Sequence, residues 1–247
     1  QNQATSNPVP TTVHLAWPRL FRLLSCSLAG LLLLLCAAPS ALAVYYTSET
    51  TAYNWISTSG HTVITTSNLS SSSTCTDRKL DDSRTKSITI GFSFNFGGTA
   101  YTSLYIQTNG RLQFGNTYCA GNTKSTTLPR TYPLPYPDTN LTKTMRIYGA
   151  DLDASTAGGG TITYKMTGTS PNRIFVVTWN NVPQWKAGGA TTYGAGTSYN
   201  LQIQLYETGE FRYMYGVNDD ITSPANQAMG GAQIGWELST TDYQVVQ

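Results

Sequence analysis

Histidine is scarce in this chain, and the motifs of nucleophilic catalysis are missing. Two histidines, His14 and His61, occur in 247 residues, with no G-x-S-x-G elbow and no second-histidine metal motif. Because His14 precedes an expected secretory leader, a Ser-His-Asp or Cys-His site would have to use His61. His61 follows Ser59-Gly60 at the start of a strand-like run, where a turn residue is the better interpretation. These absences predict that the protein is not an enzyme.

Charged residues are also few, at 11% of the chain, and their signs balance. Arg19 and Arg22 belong to the expected leader, so 13 of the 15 basic residues remain against 13 acidic ones. The mature chain therefore has a formal charge of zero. Without a basic stripe to neutralise phosphates, the sequence excludes nucleic acid as a partner.

A sustained helical period of 3.6 residues is absent outside one N-terminal segment. There, Arg19 and Arg22 precede an apolar run at 23–38 and an A-x-A site that ends at Ala43, which is typical of a secretory signal peptide. A membrane anchor is the alternative, but the run is short for a span and contains serine and glycine. We expect cleavage after Ala43.

The first methionine is Met145, so the residues before the leader are interpreted as non-native or upstream sequence. We therefore expect residues 1–43 to comprise this upstream segment and the signal peptide. Residues 44–247 are expected to form a single secreted module, the N-terminal part of a longer protein, with no membrane span in the mature chain.

Residues 87–115 are the most strongly patterned stretch and predict three consecutive antiparallel strands. A three-residue loop with Gly110 in the left-handed conformation would pair Gln107 with Arg111. This register places four apolar side chains on one face: Leu104, Ile106, Leu112 and Phe114. Because a slip of one residue moves every side chain to the other face, burial favours this loop.

The same rule applies to a second hairpin around residues 207–209. With Gly209 left-handed, Leu205 pairs with Phe211 and Ile203 pairs with Tyr213.

Shorter apolar runs predict further strands throughout the mature chain. The run at 173–179 is apolar on both faces, which is typical of a central strand covered on both sides. The other runs lie at 44–46, 53–57, 61–66, 145–153, 161–167, 199–206, 210–216, 232–238 and 243–246. About ten short strands separated by turns indicate an all-β, antiparallel fold, either a sandwich or a barrel.

Two cysteines, Cys75 and Cys119, remain after removal of the leader. An even pair in an exported protein predicts a disulfide, with two unrelated free thiols as the alternative.

Asp151 and Asp153 form the most notable acidic pair, two residues apart on one face of a predicted strand. The favoured interpretation is that these carboxylates cap the turn at the strand's end. A weak Ca²⁺ site with Asp219 and Asp220 is the alternative, and a glycosidase-like acid and base is a distant one. No other cofactor is expected.

Aromatic residues in long loops offer a possible ligand contact. Trp185 and Tyr193, with Tyr132 and Tyr136 from a proline-rich connection, could stack on sugar rings. Aromatic side chains in such loops more often close the ends of a sandwich core.

The succession FSFNFGGTAYTSLYIQTNGRLQFG, IYGADLD, GTSPNRIFVVTWNNVP, LQIQLYETGEFRYMYG and AQIGWELSTTDYQ resembles the nidogen-like extracellular β-sandwich module. Within that group it is similar to the N-terminal region of MshQ-like proteins of the mannose-sensitive haemagglutinin (type IV) pilus system of Gram-negative bacteria. The resemblance extends over roughly residues 45–247 and carries no catalytic site.

The resemblance implies a secreted or envelope-exposed structural or adhesive module of a bacterial surface or pilus-associated protein. Its expected partners are other domains of a longer surface protein, pilus components, or host and surface glycans. A lectin-like carbohydrate-binding domain is the alternative function, and a glycoside hydrolase is a distant one.

Overall fold

The computed structural model describes residues 11–15, 46–71, 79–115, 134–135, 142–148, 152–155, 159–184, 198–216 and 234–246. These ranges contain thirteen strands, one 3₁₀ turn at Thr66–Asn68 and no α-helix. The strands are β1 Thr11–Leu15, β2 Tyr46–Thr50, β3 Thr62–Val63, β4 Ile88–Phe96, β5 Thr99–Gln107, β6 Arg111–Gln113, β7 Thr144–Arg146, β8 Thr161–Thr167, β9 Ile174–Pro183, β10 Ser198–Tyr206, β11 Phe211–Tyr215, β12 Gly235–Ser239 and β13 Asp242–Val245.

The strands form two antiparallel sheets. A seven-stranded sheet has the order β2-β1-β11-β10-β9-β8-β3, and a six-stranded sheet has the order β13-β12-β7-β6-β5-β4. The all-β sandwich is confirmed. Strand β9 is internal to the larger sheet, and its residues 175–179 are buried, as the two-faced apolar pattern of this run predicts.

Both predicted hairpin registers are confirmed. Gln107 lies opposite Arg111 between β5 and β6, and the four apolar side chains predicted for the core face are all buried. In the second hairpin, Leu205 lies opposite Phe211. Gly110 and Gly209 have φ angles of 71° and 93°, the left-handed conformation that each three-residue loop requires.

Tyr46 anchors β2 within the core between the sheets. Its ring lies 5.2 Å from that of Phe211 and 5.3 Å from that of Trp236, centroid to centroid, so it contacts both layers. Its hydroxyl donates to the carbonyl of Asn95 at 3.2 Å and accepts from the N–H of Gly97 at 2.9 Å. Because these bonds join distant parts of the chain, Tyr46 fixes the start of the module against the end of β4.

Three predictions of strands need correction. Residues 53–57 form no strand, and the run at 61–66 is reduced to Thr62–Val63 before the 3₁₀ turn. β1 lies in the segment interpreted as non-native or upstream sequence, where its backbone pairs with β2 and β11. The apolar run at 23–38 lies outside the described residues. Among the described residues, no helix has the length and apolar character needed to cross a membrane.

The outer face of the six-stranded sheet departs from simple alternation. Its core face carries Leu112 and Met145, as the pattern requires, but the opposite face is also buried. The buried polar side chains on that face are Gln107, Arg111, Gln113, Thr144, Arg146 and Glu237. The smaller sheet is therefore enclosed on both sides over β6, β7 and the adjoining ends of β5 and β12.

Candidate functional site

Most of the residues predicted for a site lie outside the described ranges. They are Cys75, Cys119, Tyr132, Tyr136, Asp151, Trp185, Tyr193, Asp219 and Asp220. The disulfide, the Ca²⁺ alternative and the loop aromatics therefore stay predictions. Of the predicted set, Asp153 alone is described.

Asp153 makes the contacts expected of a turn-capping carboxylate. Its Oδ1 accepts from the backbone N–H of Ser155 at 2.7 Å and from the Ser155 hydroxyl at 2.6 Å. The backbone N–H of Asp153 donates to the carbonyl of Pro183 at 2.9 Å, so the turn is joined to β9. The described residues contain no group of three or more His, Cys, Asp or Glu side chains arranged to hold a metal ion.

His61 lies at the end of a turn, as its sequence context predicts. Its N–H donates to the carbonyl of Thr58 at 3.1 Å, and its Nδ1 lies 3.4 Å from the hydroxyl of Thr163. Partial burial, followed by the nearby ammonium of Lys165, lowers the pKa of His61. This environment favours neutral imidazole at physiological pH.

The enclosed face of the six-stranded sheet carries a buried polar layer that the sequence did not reveal. Arg111 and Arg146 lie opposite each other on β6 and β7, and Arg146 Nη2 is 3.9 Å from the carboxylate of Glu237. In the same layer, Gln107 Nε2 donates to Gln113 Oε1 at 2.7 Å. Because these side chains are buried, the layer does not face bulk solvent.

Strand β4 is the outermost strand of the six-stranded sheet, and contacts from elsewhere in the chain cover its free edge. Arg173 Nη1 donates to the carbonyl of Gly91 at 2.7 Å, and the Tyr46 hydroxyl donates to the carbonyl of Asn95. Arg173 is itself held by a bidentate ion pair with Glu207, with side chains that are 27% and 17% exposed. These contacts block extended pairing along β4.

Beside this edge lies a groove of about 490 Å³. It lies where β4 of one sheet faces β8 of the other, because its lining comes from both strands and from the 3₁₀ turn. The lining residues are Ser67, Asn68, Lys86, Ser87, Ile88, Thr89 and Tyr164. Hydroxyl and amide groups predominate, Tyr164 supplies one aromatic ring, and Lys86 is the one charged residue in this set.

Local hydrogen bonds hold the groove in shape. Asn68 Oδ1 accepts from the N–H of Thr65 at 2.8 Å, which fixes the plane of the Asn68 amide. The carbonyl of Asn68 accepts from the N–H of Lys86 at 2.8 Å, and Lys86 Nζ donates to the carbonyl of Ser67 at 3.0 Å. The Tyr164 ring packs on Phe175 at a centroid distance of 6.0 Å.

A second surface feature is the segment 53–57, which crosses the outer face of the seven-stranded sheet. Gln202 Oε1 accepts from the N–H of Ile56 at 3.0 Å, and its Nε2 donates to the Ile56 carbonyl at 2.8 Å. Gln204 Nε2 donates to the carbonyl of Asn54 at 2.7 Å. Two buried glutamine side chains thus replace a neighbouring strand, which explains why the predicted strand does not form.

This clamped segment presents an aromatic pair. The rings of Tyr53 and Trp55 have centroids 6.4 Å apart and planes inclined by 20°, and Tyr53 is 42% exposed. At that separation neither ring covers the whole face of the other. The Y-x-W pattern was the available sequence signal, but it was assigned to a strand and not to a surface contact.

Comparison with known proteins identifies the family. A search of curated proteins and of solved structures found no match to the chain. Residues 45–247 match the family model described as NIDO related, which confirms the predicted nidogen-like module over nearly the whole expected mature chain. The chain therefore belongs to the NIDO-related family.

Proposed function

We propose that the protein is a non-enzymatic structural or adhesive module of a bacterial surface or pilus-associated protein. The observation that carries this proposal is the match of residues 45–247 to the NIDO-related family, which indicates an extracellular-type module. The pilus association is proposed from the resemblance of the sequence motifs to MshQ-like proteins. Type IV pilus genes adjacent to the gene for this protein are the expected finding, and genes of an unrelated secreted enzyme system would count against it.

The described polar groups support a structural role. Asp153 caps a turn, Arg173 and Glu207 clasp two hairpins to the edge of β4, and Gln202 holds a crossing segment. Each of these groups forms hydrogen bonds with the fold itself. Such engagement is typical of a scaffold, whose contacts with partners are made by its exposed segments.

A hydrolase screen tests the non-enzymatic assignment. We expect the purified protein to turn over no glycoside, ester or peptide substrate. Robust activity that is lost in Asp153→Asn or Asp151→Asn, with folding intact, would refute the scaffold. Asp242→Asn is the matched control, because Asp242 is a partly exposed carboxylate on β13, away from the capped turn.

A lectin-like module is the second candidate, and the Tyr53–Trp55 pair favours it. Flat aromatic rings on a rigid segment suit stacking against sugar rings, because little side-chain freedom is lost on binding. On a glycan array, binding lost in Tyr53→Ala and Trp55→Ala but retained in Tyr243→Ala would promote this candidate. Tyr243 is a suitable control because its exposed fraction, 41%, is nearly the same as that of Tyr53. Loss in Trp185→Ala instead would point to the loop aromatics.

A further inference from the structure

We infer that the groove between β4 and β8 is a binding site for an acidic saccharide, a sugar unit that carries a carboxylate. This inference deepens the adhesive function proposed above and rests on it, because it names a site and a ligand class through which such a module would attach. Neither Tyr53 nor Trp55 is among the described residues that line this groove.

The size and lining of the groove favour a polyhydroxylated ligand. A volume of about 490 Å³ falls within the range of small-molecule sites. The hydroxyls of Ser67, Ser87 and Thr89 can each donate and accept hydrogen bonds, as the many hydroxyls of a sugar require. The partly buried ring of Tyr164 supplies an apolar face for the C–H side of a sugar ring.

The charge of the groove indicates an acidic sugar. Among the described residues that line the groove, Lys86 is the one basic side chain and none is a carboxylate. One N–H of the Lys86 ammonium is bound to the carbonyl of Ser67, which holds the group in place while its other two N–H donors can reach a ligand. A ligand carboxylate would form a charge-assisted hydrogen bond there.

The groove is also pre-organised. The amide plane of Asn68 is fixed by Thr65, the backbone of Lys86 is bound to the 3₁₀ turn, and Tyr164 is supported from behind by Phe175. A site that is already ordered loses less conformational entropy when a ligand binds, which matters most for a small, weakly binding ligand.

Contacts along the edge of β4 argue against a peptide as the ligand. A peptide strand would need the free carbonyl and N–H groups of this edge strand. The carbonyls of Gly91 and Asn95 are already bound by Arg173 and Tyr46, and the backbone N–H of Lys86 is bound within the chain. The groove therefore admits a compact ligand more readily than an added strand.

The test is a protein-observed NMR titration with methyl β-D-glucuronide and with its neutral counterpart, methyl β-D-glucoside. We expect the glucuronide to shift the resonances of residues 86–89 and of Tyr164, and to bind about tenfold more tightly than the glucoside because of the charged hydrogen bond. Shifts confined to other parts of the protein, or equal affinity for the two sugars, would overturn the inference.

Two variants separate the contributions of charge and ring. Lys86→Gln should reduce the affinity for the glucuronide to the level of the affinity for the glucoside. Lys165→Gln should leave both affinities unchanged. Lys165 is the matched control because it is an exposed lysine next to Tyr164 that does not line the groove. Equal effects of the two lysine variants would show that net charge, and not the groove, controls binding. Tyr164→Leu keeps an apolar side chain but removes the flat face of the ring, so it should lower the affinity for both sugars several-fold. The thermal stability of this variant checks that it is folded.

Three further outcomes either identify another ligand or keep the inference distinct from the proposed function. Tighter binding of an acetylated tripeptide with a free C-terminal carboxylate would assign the groove to peptides and overturn the saccharide. Adhesion of the protein to bacterial or host surfaces that survives Lys86→Gln and Tyr164→Leu would overturn the groove as the attachment site and leave the adhesive function standing. Glucuronide binding in the groove without any adhesion would refute the adhesive function alone.

Discussion

Gly110 provides the sharpest test of how the central hairpin is packed. Its φ of 71° is left-handed, and a Cβ added there would lie 2.8 Å from the carbonyl oxygen of Tyr148 and 3.1 Å from the Tyr148 Cβ. The carbonyl of Gly110 also accepts hydrogen bonds from the N–H groups of Ile147 and Tyr148, at 3.1 and 3.4 Å. The loop therefore cannot move away from a new methyl group without weakening those bonds.

Gly60 supplies a matched control with the same backbone strain and a different neighbour. Its φ is 69°, but its added Cβ would meet the Nζ of Lys165 at 3.2 Å, the flexible end of an exposed side chain. The left-handed conformation costs an alanine about 1–2 kcal/mol at either site. A loss of unfolded-state freedom offsets about 0.4–1 kcal/mol of that cost equally in both variants. Gly60→Ala should therefore lower the free energy of unfolding by about 1 kcal/mol.

Gly110→Ala should cost more, because it adds a steric clash with the backbone. Overpacking of this kind costs about 1–3 kcal/mol, so the total destabilisation should be about 2–4 kcal/mol. Gly110→Val should cost at least as much, since a β-branched residue tolerates the left-handed conformation poorly.

Urea denaturation followed by tryptophan fluorescence measures both free energies, provided that the transitions are two-state with equal slopes. If the effects of Gly110→Ala and Gly60→Ala agree within about 0.5 kcal/mol, the contact with Tyr148 does not constrain the hairpin and the argument fails.

Three other predictions concern a hydroxyl, an ion pair and a disulfide. Tyr46→Phe removes a hydroxyl that bonds two backbone groups at the end of β4, and it should lower the free energy of unfolding by about 1–3 kcal/mol; an unchanged urea midpoint would contradict this. Glu207 accepts hydrogen bonds from Arg173, and these bonds lower the pKa of Glu207 from 4.5 to about 2. The stabilisation that this ion pair gives the folded protein is therefore complete above pH 4.5 and is lost as the pH falls toward 2. The stability difference between the native protein and Glu207→Gln should shrink over that window, and a constant difference would exclude the ion pair as its source. Thiol titration of the denatured, unreduced mature protein should find Cys75 and Cys119 oxidised, and two free thiols would refute the predicted bond.

The hairpin registers could be predicted because two local signals agree. Gly110 and Gly209 permit the left-handed residue of a three-residue loop, and burial of apolar side chains then selects one register. Both signals lie within a few residues of the turn, so no knowledge of the rest of the fold is needed.

The burial of Arg111 and Arg146 could not be predicted in the same way. Alternation assigns a polar side chain to the face away from the core, and a polar residue on that face is normally solvated. Here that face is enclosed, so the side chains are buried together with Glu237. Strand periodicity reports on the face that a residue occupies and carries no information about what covers that face.

Residues 53–57 show a related limit of local sequence patterns. Tyr53, Trp55 and Ile56 give this segment the aromatic and β-branched composition of a strand. Its backbone partners, however, are the side chains of Gln202 and Gln204, 146 and 150 residues away in the pairs observed. A glutamine that holds a backbone segment has the same sequence signature as one that faces water. The assignment of a strand failed because its partner was not a strand.

The groove follows from how the edge of the smaller sheet is protected. An exposed edge strand can pair with another chain, which promotes aggregation. In β4 such pairing is opposed by Arg173, which precedes β9 and binds the carbonyl of Gly91, and by Tyr46 of β2, which binds the carbonyl of Asn95. Side chains that reach across in this way hold the two sheets together without completing a β-ladder between them. The opening that remains beside the first residues of β4 is too interrupted for a strand but is lined with hydroxyls and one ammonium. The contacts that protect the edge of β4 and the groove proposed as a ligand site therefore lie along the same strand.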